Sequence, residues 1–160
     1  MKEFISYSKT ANGWVIPQGV ETLYLSSLTS ANGLVIPQGV KTLDLSSLTS
    51  ANGLVIPQGV KTLYLSSLTS ANGLVIPQGV EISGSRHLVS LCGPHEIKIG
   101  CHIHTIKSWI AHYKSIGNAN GYSDAEIIEY KRYIDILSSS DAHTYPLQDR
   151  DDLEGAEKPK

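Results

Sequence analysis

A unit of twenty residues, ANGLVIPQGVKTLYLSSLTS, recurs almost unchanged from Ala11 to Val80. Copies begin at Ala11, Ala31, Ala51 and Ala71, and the last is cut short after Val80. Self-similarity at a fixed period of this length means one structural unit per repeat, each stacked on the next. A single such unit buries too little apolar surface to repay the ordering of its own backbone, so the units fold only as a stack. A stack of this kind offers a long surface and no obvious catalytic pocket.

The stretch from Pro37 to Ile56 shows the pattern within one unit. Leu43 and Leu45 alternate with Thr42, Asp44 and Ser46, the period-two pattern of a short strand with one buried face. Val40 precedes Leu43 by three residues, and Leu48 follows Leu45 by three. Asn52-Gly53 marks a turn that needs positive φ, and Pro57 stops strand pairing at its own position. Between them Leu54 and Ile56 point inward and Val55 outward. Each coil is therefore expected to hold two short straight segments separated by two turns. In-register stacking places Asn12, Asn32, Asn52 and Asn72 in one ladder and Ser26, Ser46 and Ser66 in another, satisfying polar groups at the corners. These serines are read as structural rather than catalytic.

The spacing P-x-x-V-x-x-L-x-L-x-x-L with a twenty-residue period resembles a short leucine-rich repeat, of the type found in secreted bacterial effectors. The resemblance covers roughly residues 1–92. It departs from that type at Leu28, Leu48 and Leu68, where such repeats usually carry an inward asparagine, so the coil is expected to be flatter and closer to a two-sided β-solenoid. Tandem LSSLTSANGL units are also similar to repeat proteins of bacteria and their phages, which implies no particular activity. The effectors with such repeats can carry a separate ligase domain with a catalytic cysteine. Only about seventy residues follow the repeats here, and they contain no Cys-x-Asp, so that activity is not carried over.

Comparison among the copies isolates what distinguishes them. Position 24/44/64 reads Tyr, Asp, Tyr, position 21/41/61/81 reads Glu, Lys, Lys, Glu, and Trp14 replaces the leucine found at 34, 54 and 74. Tyr24, Asp44 and Tyr64, with Lys41 and Lys61 beside them, are expected to line the presented sheet at about 4.8 Å per strand. Aromatic side chains dominate protein-binding hot spots, so this row is the candidate binding surface. Trp14 reads as a filler at the end of the stack.

Both ends of the array should be modified, because a bare terminal coil exposes apolar surface and unpaired strand edges. Met1–Thr10 reads as a degenerate half-coil with Phe4 and Ile5 where Tyr24 and Leu25 stand later. Glu81–Gly93 reads as a decayed unit. His95–His104 then reads as one strand, with Ile97, Ile99, Cys101 and Ile103 on one face and Lys98, His102 and His104 on the other. Thr105 is a good N-cap for a helix carrying Ile106, Trp109, Ile110, Tyr113 and Ile116 at helical spacing. Gly117–Tyr122 reads as a turn. Ser123 and Glu126 make a capping box before a second stripe of Ile127, Tyr130, Ile134 and Leu137. The expected fold class is thus a mainly β, leucine-rich-repeat-like solenoid over residues 1–93, closed by a strand and helical hairpin over 94–140. Residues 141–160 read as a solvated tail.

Charge sits in the second half. Residues 1–80 hold seven charged side chains and residues 81–160 hold 21, for a formal net charge of −2 overall. No basic stripe suited to a phosphate backbone is present, which argues against nucleic acid as a partner. The absence of an apolar leader and of a membrane-length apolar run sets the expectation of a cytoplasmic protein that does not engage membranes, and leaves delivery into a host cell open. Cys92-x-x-His95 followed by Cys101-x-x-His104 has ligand types that hold zinc, although strand alternation would set Cys101 and His104 apart unless the chain bends at Gly100. Cys101 with a nearby histidine is the one enzyme-like pairing, without an orienting third residue or any GxSxG, P-loop, HExxH or GxGxxG motif. The expectation is a non-enzymatic scaffold that binds a protein partner and needs no cofactor, with self-association through the coil ends as the alternative.

Overall fold

The computed structural model describes residues 2–70, 73–77 and 79–144. One eight-stranded sheet runs in chain order through β1 (Glu3–Ile5), β2 (Thr22–Tyr24), β3 (Thr42–Asp44), β4 (Thr62–Tyr64), β5 (Glu81–Ser83), β6 (Leu88–Gly93), β7 (Glu96–Ile99) and β8 (His102–Thr105). Two helices follow, α1 (Ile106–Ala119) and α2 (Asp124–Thr144). Pairing is parallel from β1 to β5 and antiparallel from β5 to β8.

The repeat sets the register of the parallel half. Thr22, Thr42 and Thr62 pair in one row, Leu23, Leu43 and Leu63 in the next, and Tyr24, Asp44 and Tyr64 in the third. At both ends the step is one residue shorter, so that Phe4 pairs with Leu23 and Leu63 with Ile82. Phe4 therefore stands one position from its expected place. It packs toward the core and meets the Trp14 ring edge-on at 6.2 Å, while Ile5 takes the outward place beside Tyr24. Trp14 thus fills the end of the stack as its substitution implied.

Within a coil the core positions follow the alternation. Val40, Leu43, Leu45 and Leu48 are sealed from solvent, Leu54 and Ile56 are buried, and Val55 is 73% exposed. Leu28, Leu48 and Leu68 are buried at an inward corner, and each N–H closes a turn onto Leu25, Leu45 or Leu65. The coil has three turns rather than two. Besides the strand rows, Ser30–Ser50–Ser70 and Val55–Val75 form parallel bridges, so neighbouring coils pair along three lines. The added corner is the Ser-Ser pair after Leu25, Leu45 and Leu65, a local turn whose signal the flanking leucines masked. At the Asn-Gly corners the glycine takes positive φ (71–78° at Gly13, Gly33, Gly53 and Gly73), and among the described residues no asparagine does. Trp14, Leu34 and Leu54 each donate their N–H to the alanine carbonyl three residues back.

Among the described residues, polar stacking includes a threonine column that the sequence pattern does not single out. The hydroxyls of Thr29, Thr49 and Thr69 donate to the carbonyls of Lys9, Thr29 and Thr49, at 3.2, 3.2 and 3.0 Å. Ser66 bonds the Ser46 carbonyl in the same manner. Asn52 accepts from the Ser70 hydroxyl.

The sheet's second half departs from two expectations. Leu88–Gly93 runs antiparallel to β5 and is not a decayed coil. His95–His104 is not one strand but most of a hairpin, because Gly100 (φ 59°) and Cys101 reverse the chain between β7 and β8. The reversal switches the parity of every later side chain. His102 and His104 pair with Ile99 and Ile97 and share their inner face, whereas Ile103 pairs with Lys98 and faces outward.

The helices cover the inner face of β6–β8 and the end of the stack. Thr105 caps α1 by accepting from the Ser108 N–H at 3.1 Å. Ser123 and Glu126 form the reciprocal capping box, at 2.7 and 3.3 Å. The α1 helix extends through Gly117 to Ala119, and bare Gly117 lets Ile127 of α2 approach to where an added methyl group would stand only 2.7 Å from it. Trp109 is buried and donates its indole N–H to the Ile97 carbonyl at 2.7 Å. Tyr130, Tyr133, Ile134 and Leu137 of α2 join the coil leucines in one core. The α2 helix runs through Thr144, past the boundary expected at residue 140, and residues 145–160 of the expected tail lie outside the described residues.

Candidate functional site

In a sheet, paired residues share a face, so the registers decide which side chains are presented together. One outward row contains Ile5, Tyr24, Asp44 and Tyr64 and continues through Ser83 to Leu88. The adjacent row contains Glu3, Thr22, Thr42, Thr62, Glu81, Ser90, Lys98 and Ile103. Tyr24 and Tyr64 are each 38% exposed, and Ile5, Leu88 and Ile103 about half exposed. Five large apolar or aromatic side chains therefore lie on one face, while the opposite face holds the core.

Of the sequence-selected residues, Tyr24, Asp44 and Tyr64 fall in one outward row, whereas Lys41 and Lys61 stand just before β3 and β4, outside the paired rows. Asp44 accepts the N–H of Ser46 at 3.0 Å, which commits one carboxylate oxygen to the end of its own strand. Lys41 pairs with Glu21 at 2.7 Å. That hydrogen bond, and then the lysine charge, hold the Glu21 carboxyl below its ordinary range. The pair is half exposed and contributes little to stability. Lys61 forms no ion pair among the described residues. Leu88 and Ile103 were missed because both lie beyond the repeats, where only the hairpin register reveals their side.

The proposed zinc ligands are not assembled. Among the described residues no three His, Cys, Asp or Glu side chains gather as a metal site. Cys92 lies in β6 and Cys101 at the tip of the β7–β8 turn, both exposed free thiols. His104 faces the helices and packs edge-on against Trp109 at 4.9 Å. The bend that the sequence required at Gly100 does occur, but it turns His104 inward while leaving Cys101 at the tip. Partial burial, and then the Glu96 carboxylate, push the Cys92 thiol above its ordinary range, which lowers its nucleophilicity at neutral pH.

Two other cavities are structural. One of about 30 Å³ between the helices and β7 is lined by apolar side chains such as Ile99, Trp109 and Ile127, and is far below ligand size. The groove beneath α2 holds polar groups that are mostly partnered, the buried Arg132 Nε being the exception. Arg132 donates to the Leu68 and Ser66 carbonyls at 2.9 and 3.4 Å, closing the exposed corner of a coil. Glu129 accepts from the Ser85 N–H and hydroxyl and from Tyr133, and the burial that encloses this cluster pushes the Tyr133 phenol well above its ordinary range.

The fold and this face define a β-rich stack of sequence repeats closed by an antiparallel meander and a helical pair. Comparison with protein-family models, with curated proteins and with solved structures finds no match. Among the described residues no helix is long and apolar enough to cross a membrane.

Proposed function

We propose that this chain is a non-enzymatic protein-binding scaffold whose coils form a leucine-rich-repeat-like β-solenoid. The outward sheet face is its recognition surface. The observation that carries this reading is the collection of Ile5, Tyr24, Tyr64, Leu88 and Ile103 on one face of a single sheet. Chains that need only solubility seldom gather that many exposed apolar side chains on one side. Rigid aromatic anchors over a hydrogen-bonded sheet lose little entropy on binding. The test is to pan a phage-displayed library of random peptides on the immobilised chain and to measure the enriched peptides by fluorescence anisotropy. The double substitution Tyr24→Ala and Tyr64→Ala should weaken them at least tenfold, a typical hot-spot effect, with stability changed by less than about 1 kcal/mol. Peptides indifferent to both changes would move the site to the helical pair.

Self-association is the second reading, favoured by the first coil. Ile16 and Pro17 are more exposed than their counterparts Ile36 and Pro37, and β1 is paired on one side only. Pairing of β1 with β1 of a second copy about a twofold axis would cover both open edges with an isologous interface, unlike the head-to-tail stacking of coils within the chain. Light scattering separates the readings. A dimer that grows with concentration and is lost in Phe4→Ser supports self-association, and a monomer at all concentrations removes it.

A further inference from the structure

Two hairpin turns stand at the same end of the outward face: the β5–β6 turn around Ser85 and Arg86, and the β7–β8 turn at Gly100. Between them lies a cleft of about 340 Å³ whose lining includes Glu81, Arg86, His87, Leu88, Ser90 and Lys98. Its walls are held from behind. The Tyr130 phenol oxygen accepts the N–H groups of Arg86 and His87 at 2.9 and 2.6 Å and donates to the His87 carbonyl. Gly100 passes beneath the His87 ring, where a methyl group would come within 3.0 Å. Such a cleft needs little rearrangement to receive a ligand.

Its charges are arranged unevenly. The Arg86 guanidinium is fixed by the Gly121 carbonyl at 3.0 Å, the Tyr122 ring at 4.4 Å and Glu126 at 3.5 Å, so it contributes field without reaching a ligand. Lys98 is exposed and forms no ion pair among the described residues. Glu81 lies in the same row with Ser90 between them, about 10 Å away at ordinary strand spacing and too far to neutralise Lys98. Leu88 forms the apolar rim, next to Ser83 and then Tyr64 along the other row.

We propose that this cleft is the specificity subsite of the outward face. It takes the carboxylate of an acidic side chain from a protein segment whose apolar side chains rest on Tyr64 and Leu88. The inference rests on the face being a protein-binding surface. Lys98 donates to the incoming carboxylate, and Glu81 repels an acid displaced by two strands, so the pair fixes the segment's register.

The peptides enriched from the random library supply the test. They should share an Asp or Glu near an aromatic or branched apolar residue. Lys98→Glu should weaken them roughly five- to tenfold, as expected for reversing one solvent-accessible charge, with an unchanged melting temperature. Replacing the peptide's acid by lysine should restore binding to Lys98→Glu. Enriched peptides without an acid, or ones that need Tyr24 and Tyr64 but bind Lys98→Glu equally well, overturn the cleft and leave the face standing. A library that yields no binder overturns both.

Discussion

Gly84 has the least room of any glycine described in the chain. A methyl group there would stand 2.6 Å from the Tyr130 hydroxyl and 2.8 Å from the His87 carbonyl. Those two atoms hold the β5–β6 turn, since Gly84 also donates its N–H to His87 at 3.2 Å. The clash cannot be relieved by rotating a flexible side chain, because Tyr130 is buried and committed to three bonds. Gly84→Ala is therefore expected to cost about 2–3 kcal/mol, or roughly 5–10 °C in melting temperature. Gly93→Ala is the control, as its nearest neighbour is a movable Glu96 oxygen at 3.4 Å. Thermal unfolding followed by circular dichroism measures both, and equal midpoints would show that the turn is not pinned by Tyr130. The sequence marks Tyr130 only as one position on an apolar stripe. Its hydroxyl chemistry depends on a turn more than forty residues away and leaves no local pattern.

At the scale of elements, legibility follows whether the determining contact is local. The capping box at Ser123 and the N-cap at Thr105 lie within four residues of their partners and were readable directly. So was the inward turn of Leu54 and Ile56, because alternation is a property of the strand itself. The β7–β8 hairpin was misread because HEIKIGCHIH keeps its alternation through the turn. Gly100 was the visible cue, and its positive φ is what breaks the run. One undetected reversal inverted the sides assigned to Ile103, His102 and His104 together, which is how parity errors propagate. The row of Tyr24, Asp44 and Tyr64 escaped this fate because identical repeats fix its register. Its extension to Leu88 required the antiparallel pairing of β5 with β6, and nothing in the repeat encodes that pairing. The Thr29, Thr49 and Thr69 column was overlooked for a different reason. A hydroxyl bonding to the preceding coil's backbone looks, within any one copy, like an ordinary exposed threonine.

For the molecule as a whole, the stack behaves as a one-dimensional array in which each coil touches only its neighbours. The internal registers of Leu23, Leu43 and Leu63 are interchangeable, and the distinctive contacts are confined to the ends. At one end stand Phe4 and Trp14, and at the other Arg132 reaches the Ser66–Leu68 corner. Removing residues 31–50 deletes one full period and joins Ser30 to Ala51 in the same sequence context as every other copy. Such a chain should refold with a single cooperative transition. Its urea m-value should fall by roughly an eighth, in line with the share of the chain removed, and its melting temperature should drop. Removing residues 31–40 instead deletes half a period, carries Leu34 and Ile36 out of the core, and should abolish cooperative unfolding. Urea denaturation of the two deletions side by side decides the matter. If the full-period deletion loses cooperativity as the half-period one does, the coils are not equivalent, and the middle one carries contacts that the ends require.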